Sequence, residues 1–382
     1  MLNRHGTRNP SQHQITQMKT TLIKLRDRIL KQSATGKLCK EVLDGLKNWE
    51  ISLNTSDAYR LVKRGYLELD GISRRYQSSF PELFPKKFTN ESYFFRTTSF
   101  QRTKESAKSF AAAIFGVDAL PGVYFHKPSK NDSLLHFFKI CPKWIQQVKN
   151  NPKVKFEVNQ FKESEVFQDM VKRVKQRLNL GDDHVSTRHV LIMYDACAFE
   201  TAWNTPVLSS WCAVFDEEDL RILEYLQDLH RYWQDGYAVP INYEQACEPI
   251  RDLVERFSSK ANNPENPLVT TAYFSHDETL MKVYSRLGLF RDPVNLTAKG
   301  YENFKTNRQW MTSKIAKFAS NLAFILFECP AEVNKYKIGS FVQESPVDVD
   351  ACDGHWLCPL SQFVENLNFI VDTCNLGKIC KI

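Results

Sequence analysis

At three places far apart in the chain, a strand or loop ends in charged residues and gives way at once to a helical pattern. The first is Arg4-His5-Gly6-Thr7-Arg8-Asn9-Pro10, followed by Ile15, Met18, Leu22, Leu25 and Ile29 at helical spacing, which predicts a helix over about 11–31. The second is the apolar run Tyr93-Phe94-Phe95, then capping residues over 97–99 and a stripe of Ala107, Phe110, Ala111 and Ile114 that stops at Gly116. The third is the β-rich run 268–275, which leads into His276-Asp277-Glu278-Thr279 and a helical pattern of Leu280, Val283, Tyr284 and Leu287 ended by Gly288. Junctions of this kind predict an α/β fold. In an open sheet such strand ends converge on one edge, where ligands bind.

The first junction carries the clearest chemistry. A neutral imidazole is a nucleophile, and the guanidiniums of Arg4 and Arg8 on either side of His5 suit the non-bridging oxygens of a phosphoryl group. Gly6 would let the backbone come close to such a group. The following helix, with Asn9 as cap and Pro10 in its first turn, would aim N–H groups and its positive end at the same anion. A basic N-terminus is ordinarily a solvated tail, but R-H-G-x-R-x-P fixes five residues. That motif is the one found in the histidine acid phosphatases, and the chain resembles that family. The resemblance implies a mixed central sheet flanked by helices, His5 as the nucleophile that becomes phosphohistidine, and Arg4 and Arg8 as phosphate ligands.

Arg102 falls in a first helical turn, where it opposes the helix dipole and calls for an anion nearby. Gln101-Arg102-Thr103, with Ser106-Ala107 behind it, is similar to the family's second phosphate-binding segment, which gives Arg102 the role of a third arginine; Arg96, at the strand end, is the alternative. His276-Asp277 matches the second signature, in which the histidine binds phosphate and the acid protonates the leaving oxygen. Here two carboxyls are adjacent. Most histidine acid phosphatases have His-Asp, which points to Asp277, whereas many of the inositol-polyphosphate phosphatase subgroup have His-Ala-Glu, which points to Glu278. Asp277 holds the commoner position and is preferred, with Glu278 able to substitute or to cap the helix. Tyr194-Asp195-Ala196-Cys197, Trp310-Met311-Thr312-Ser313-Lys314 and Cys358-Pro359-Leu360-Ser361 resemble the inositol-phosphatase subgroup too, so the resemblance runs nearly end to end. It implies a phosphomonoesterase acting on inositol polyphosphates, phytate included, with no metal or cofactor, because arginines take the charge-neutralising part. A broad acid phosphatase and a truncated, inactive phosphate-binding protein are the competing readings.

At 382 residues the chain exceeds what one core usually serves. The expected division is a phosphatase core from 1–116 and 265–382, interrupted by a mainly helical insertion over 117–264 that covers the site, with helices near 132–148, 163–178 and 217–235. Shorter helices are expected near 38–46 and 57–65, a turn-rich loop over 80–85, and strands over 322–327 and 337–342. On the 163–178 helix, Lys172, Arg173, Lys175 and Arg177 form a basic face, either solvated or a rim for a polyanion. The net charge of +7 suits an anionic substrate, while the absence of a long basic run or a nucleic-acid motif argues against a nucleic-acid partner.

Ten cysteines, four of them at Cys352, Cys358, Cys374 and Cys380, favour disulfides over zinc, since no CxxC pair occurs and His355 is the only histidine nearby. With Asn-x-Ser/Thr sequons at Asn54, Asn90, Asn131 and Asn295, this predicts a secretory route. No apolar run is long enough to span a bilayer. Met1 stands three residues before the motif, so neither a signal peptide nor a full central strand precedes it in this sequence; either the sequence is truncated or a fragment, or the product lacks a strand its fold would want.

Overall fold

The computed structural model describes residues 1–32, 37–181, 185–203 and 208–382. Its centre is a mixed sheet of β1 (Leu2–Arg4), β2 (Tyr93–Thr97), β3 (Phe125–His126), β4 (Thr270–Ser275), β5 (Asn321–Glu328), β6 (Tyr336–Val342), β7 (Ser345–Pro346) and β8 (Leu357–Pro359). The order is β3-β2-β4-β1-β5-β6-β7, with β8 also on β6. Strands β3, β2, β4 and β1 run parallel, and β5 reverses direction beside β1. Register places Arg4 opposite Ser275 and Thr97 opposite Phe274, so the three charged junctions leave the sheet at one edge.

Three residues suffice for β1 because both of its neighbours hold it. Leu2, Asn3 and Arg4 are all buried, Arg4 N–H donates to Ser320 O at 2.8 Å, and His5 N–H donates to Ser275 O at 3.0 Å. Side chains alternate across the sheet. Tyr93, Phe95, Ala272 and Phe274 face one core with Leu69, Ile72 and Phe110 of the helices Lys63–Ser79 and Gln101–Phe115. Phe94 and Tyr273 face the larger core, which runs without a break into the stretch 117–264 through Phe161, Trp211 and Leu229.

Local structure differs from the sequence pattern in several places. Ser11, not Asn9, caps the helical stretch 12–31, in a reciprocal capping box with Gln14; Asn9 instead donates its side-chain N–H to Asp57 O at 3.0 Å. That cap occupies helix N–H groups that the motif alone assigned to an anion. Phe100, not a residue of 97–99, occupies the cap position of Gln101–Phe115. The expected helix at 57–65 is a turn at Thr55–Asp57 followed by a 17-residue helix, Lys63–Ser79. Gly65 and Gly71 interrupt its apolar stripe, which hid it.

The expected helix at 132–148 is broken into Phe137–Ile140, Pro142–Trp144 and Ile145–Lys149. Pro142 lacks a donor, and the Asp132 carboxylate takes the N–H groups of Leu134 and Leu135. The helix Glu217–Asp235 has the expected bounds, whereas Thr187–Trp203, Cys247–Asn262 and Leu360–Asp372 add helices that periodicity did not mark out.

Four disulfides join Cys141 to Cys380, Cys197 to Cys212, Cys247 to Cys374 and Cys352 to Cys358. Two of them tie the C-terminal segment to helices of the 117–264 stretch. The basic face of Glu165–Leu178 is largely compensated: Arg173 pairs with Asp219 at 2.8 Å, Arg177 with Asp216 and Asp219 at 2.8 Å each, and Lys172 with Asp169 at 2.9 Å. Among the described residues no helix is long and apolar enough to cross a membrane.

Candidate active site

The loop after β1 is shaped by a close backbone approach. A Cβ on Gly6 would stand 2.3 Å from Gly65 O, and one on Gly65 would stand 2.4 Å from Thr7 O, so each glycine is needed for the other. Gly6 therefore packs the loop against the helix Lys63–Ser79, a role the motif did not reveal. Glu68 on the same helix accepts from Thr7 N–H at 2.8 Å and from its hydroxyl, and Gly6 N–H donates to Ser106 Oγ at 3.0 Å. The loop is held from two helices before any ligand arrives.

His5 is buried, and its Nδ1 lies 2.8 Å from Gly6 O. A carbonyl only accepts, so the ring proton sits on Nδ1 and the lone pair on Nε2. Burial, reinforced by Arg4 and Arg102, pushes the imidazole well below its ordinary value, which keeps it neutral. His276, 5.5 Å away between ring centroids, is neutral for the same reason, with burial as the main cause. Arg102 Nη2 donates to its Nδ1 at 3.2 Å and its Nε2 lies 3.0 Å from Thr98 Oγ1, so His276 is the Nε2–H tautomer.

The three arginines are unequally partnered. Arg4 donates to Ala316 O, lies 3.4 Å from Asp277 and stacks over Phe318 at 4.4 Å. Among the described residues Arg8 and Arg102 have no carboxylate partner. Arg8 lies over Tyr59 at 5.2 Å, and Arg102 between Phe100 at 4.5 Å and Tyr59 at 5.6 Å. Burial, then the neighbouring Arg4, pulls Arg8 down to about 10. The Nε atoms of Arg4 and Arg102 are buried without partners. Arg96 and Arg286 share this feature, so at Arg4 and Arg102 it is spare donor capacity that gains meaning only from the neighbouring His5. Tyr59 and Ala319, the residue after Phe318, hold left-handed backbone angles of 62° and 60° beside these guanidiniums. Arg96 is elsewhere: it pairs with Asp132 at 2.8 Å.

Asp277 and Glu278 open the helix Asp277–Arg286 side by side, yet their surroundings differ. Asp277 receives Arg231 at 2.7 Å as well as Arg4. Burial opposes its ionisation, but the two guanidiniums hold it well below the usual carboxylate range. Burial and the adjacent Asp277 charge push Glu278 up to about 7. Arg231 comes from Glu217–Asp235 and also meets Asp235 at 3.0 Å, which pairs at 2.7 Å with Lys282, both fully buried. The sequence pattern did not point to Arg231, Glu68, Thr98, Phe318, Tyr59 or His136; each is a lone polar or aromatic residue whose role exists only through what the fold sets beside it.

A buried neutral histidine ringed by guanidiniums at the edge of a mixed α/β sheet defines a phosphate-handling site. The sequence profile of the histidine phosphatase superfamily (branch 2) matches residues 1–343, and the chain belongs to that family. Multiple inositol polyphosphate phosphatase 1 of Drosophila melanogaster is 30% identical over 97% of this chain and 79% of its own length. The Gallus gallus protein of the same name is 29% identical over 99% and 83%. Among solved structures, the phytase from D. castellii superposes with a TM-score of 0.78 at 16% identity, covering 99% of this chain and 80% of its own. The Bifidobacterium longum multiple inositol polyphosphate phosphatase, in complex with inositol hexasulfate, does so at 0.70 and 14%, covering 100% and 93%. These structural likenesses establish the shared fold.

Proposed function

We propose that the protein is a phosphomonoesterase that hydrolyses inositol polyphosphates through a phosphohistidine intermediate. The observation that carries the reading is the state of His5: buried, neutral, its proton engaged by Gly6 O and its Nε2 lone pair open, with Arg8 and Arg102 beside it and lacking carboxylate partners. In this reading Nε2 forms a bond to phosphorus as the ester oxygen leaves. Arg4, Arg8 and Arg102 stabilise charge on the equatorial oxygens, and His276 joins them when its Nε2–H exchanges Thr98 Oγ1 for a phosphate oxygen. Glu278 gives its proton to the departing alkoxide, and its carboxylate then takes one from the water that cleaves the phosphohistidine.

Glu278 is assigned the proton rather than Asp277 because a carboxyl gripped by Arg231 and Arg4 has none to give near neutrality, whereas one pushed up to about 7 does. The inositol-phosphate preference is supported by similarity to the animal inositol polyphosphate phosphatases over 97–99% of this chain and 79–83% of theirs, and by Arg8 and Arg102 lacking a carboxylate partner among the described residues. The four disulfides, with exposed sequons at Asn54, Asn90, Asn131 and Asn295, support a secretory compartment. The stretch 117–264 is proposed as a cap that contributes Arg231.

The test is phosphate release from phytate and from an aryl phosphate, with His5→Ala alongside. Release from both, with phytate preferred, and a loss of at least about 10³-fold in His5→Ala are expected. Equal use of the two substrates would leave a broad phosphatase. Binding without turnover would leave a phosphate-binding protein, and activity surviving in His5→Ala would remove the nucleophile.

A further inference from the structure

The segment 132–139 is fastened to both flanks of the His276 signature. Leu135 O accepts from Ser275 Oγ at 3.0 Å and from Thr279 Oγ1 at 2.7 Å, the residues that bracket His276-Asp277-Glu278. Asp132, 4% exposed, binds the N–H groups of Leu134 and Leu135 and pairs with Arg96 of β2. These bonds fix the next residue, His136. Its ring lies face to face on His276, with centroids 4.7 Å apart and planes 10° from parallel, and Phe100 and Phe138 meet it edge-on.

Packing alone does not call for histidine there, since a phenylalanine would fill the same stack. The His136 ring is half-buried, and among the described residues its nitrogens have no hydrogen-bond partner in the protein. An imidazole locked against His276, with its one N–H unspent, is placed to meet a second anion.

We propose that His136 binds a second phosphate group of the substrate, next to the one His5 attacks, and so favours polyphosphorylated over monophosphorylated substrates. The proposal rests on the phosphatase reading above and names a residue of its specificity. The groups around the ring are His276 on its face, Arg102 on Gln101–Phe115, Lys139 and Asp132 on its own segment, and Arg96 neutralising Asp132. Burial and Lys139, opposed by Asp132 and aided by Arg102, push His136 down to about 4, so it is neutral without ligand and offers a single N–H. A phosphate dianion against the ring favours the imidazolium, so the contact strengthens as pH falls.

The experiment compares wild type, His136→Phe and His136→Gln on inositol hexakisphosphate and on an aryl monophosphate. His136→Phe keeps the stack. It is expected to lower kcat/KM for the hexakisphosphate about tenfold, through KM, and to change the aryl value less than about twofold. The ratio between substrates should lose its rise towards acid pH, and His136→Gln, which keeps a donor, should retain part of the preference. If wild type is active and His136→Phe leaves the ratio unchanged, whether both values stay or fall together, His136 only packs on His276 and the inference is overturned while the phosphatase reading stands. Absence of turnover in wild type, or turnover that survives His5→Ala, overturns both.

Discussion

Two clusters of arginine in this molecule look alike in sequence and behave differently in space. Arg173 and Arg177, on the helix Glu165–Leu178, meet the carboxylates of Asp216 and Asp219 at 2.8 Å. Arg8 and Arg102, at the sheet edge, meet aromatic rings, a histidine and backbone. The first cluster is a structural ion network, in which a fully buried Asp219 would be costly without its partners. The second holds positive charge in a desolvated place with no carboxylate in direct contact among the described residues, Asp277 and Glu278 acting on it only from a distance, which leaves it open to whatever anion enters. Uncompensated charge, rather than charge density along a helix, separates a binding site from a surface. The two carboxyls beside His276 repeat the contrast: Asp277 is gripped by Arg231 and Arg4, while burial and the neighbouring Asp277 charge push Glu278 up.

The largest expected effect tests the contrast directly. Arg102→Met should lower kcat/KM for phosphate release by about 10² to 10³-fold with no loss of melting temperature, because it removes a cation that the empty site holds at a cost. Arg173→Met should leave kcat/KM nearly intact and destabilise by about 1–2 kcal/mol, Arg177 still covering Asp219. Equal kinetic losses in the two variants would erase the distinction. Next in size is the division between carboxyls. Glu278→Gln should slow hydrolysis of an ester with a poor leaving group about 10²-fold and of an activated aryl ester far less, whereas Asp277→Asn should slow both alike. The reverse pattern would return the acid to Asp277.

The smallest effect is on stability. A Glu278 carboxyl raised from 4.5 to about 7 in the fold contributes stability that is fully present below pH 4.5 and lost as pH rises through 7. Denaturant titrations should therefore show Glu278→Gln gaining on wild type by up to about 2 kcal/mol between those limits, reduced by the group's partial exposure. A constant difference across that range would place the raised affinity for protons elsewhere.

Much of the site was legible without coordinates, because motif residues are bound to a few neighbours along the chain. The order Arg4, His5, Gly6, Arg8 suggests a phosphate chemistry by residue type and spacing, and the family resemblance extends that expectation to His276, Asp277 and Glu278. The strands at 93–97 and 270–275 and the helices behind them were also readable, since apolar periodicity reports on burial within one element. The helix Lys63–Ser79 was not, because Gly65 breaks its stripe in order to admit Gly6, a contact between positions 59 residues apart in the numbering.

The sequence by itself determined the α/β class, the phosphohistidine-type motif and the residues that carry it, each encoded by local order and local period. Only the tertiary structure decided which charges are spent on the protein and which remain for a ligand. It paired Arg173 and Arg177 with carboxylates, left Arg8 and Arg102 without a carboxylate partner among the described residues, brought Arg231 to Asp277, and set His136 on His276. The reason is physical: an electrostatic environment is a sum over neighbours in space, and neighbours in space are supplied by segments that lie far apart in the chain.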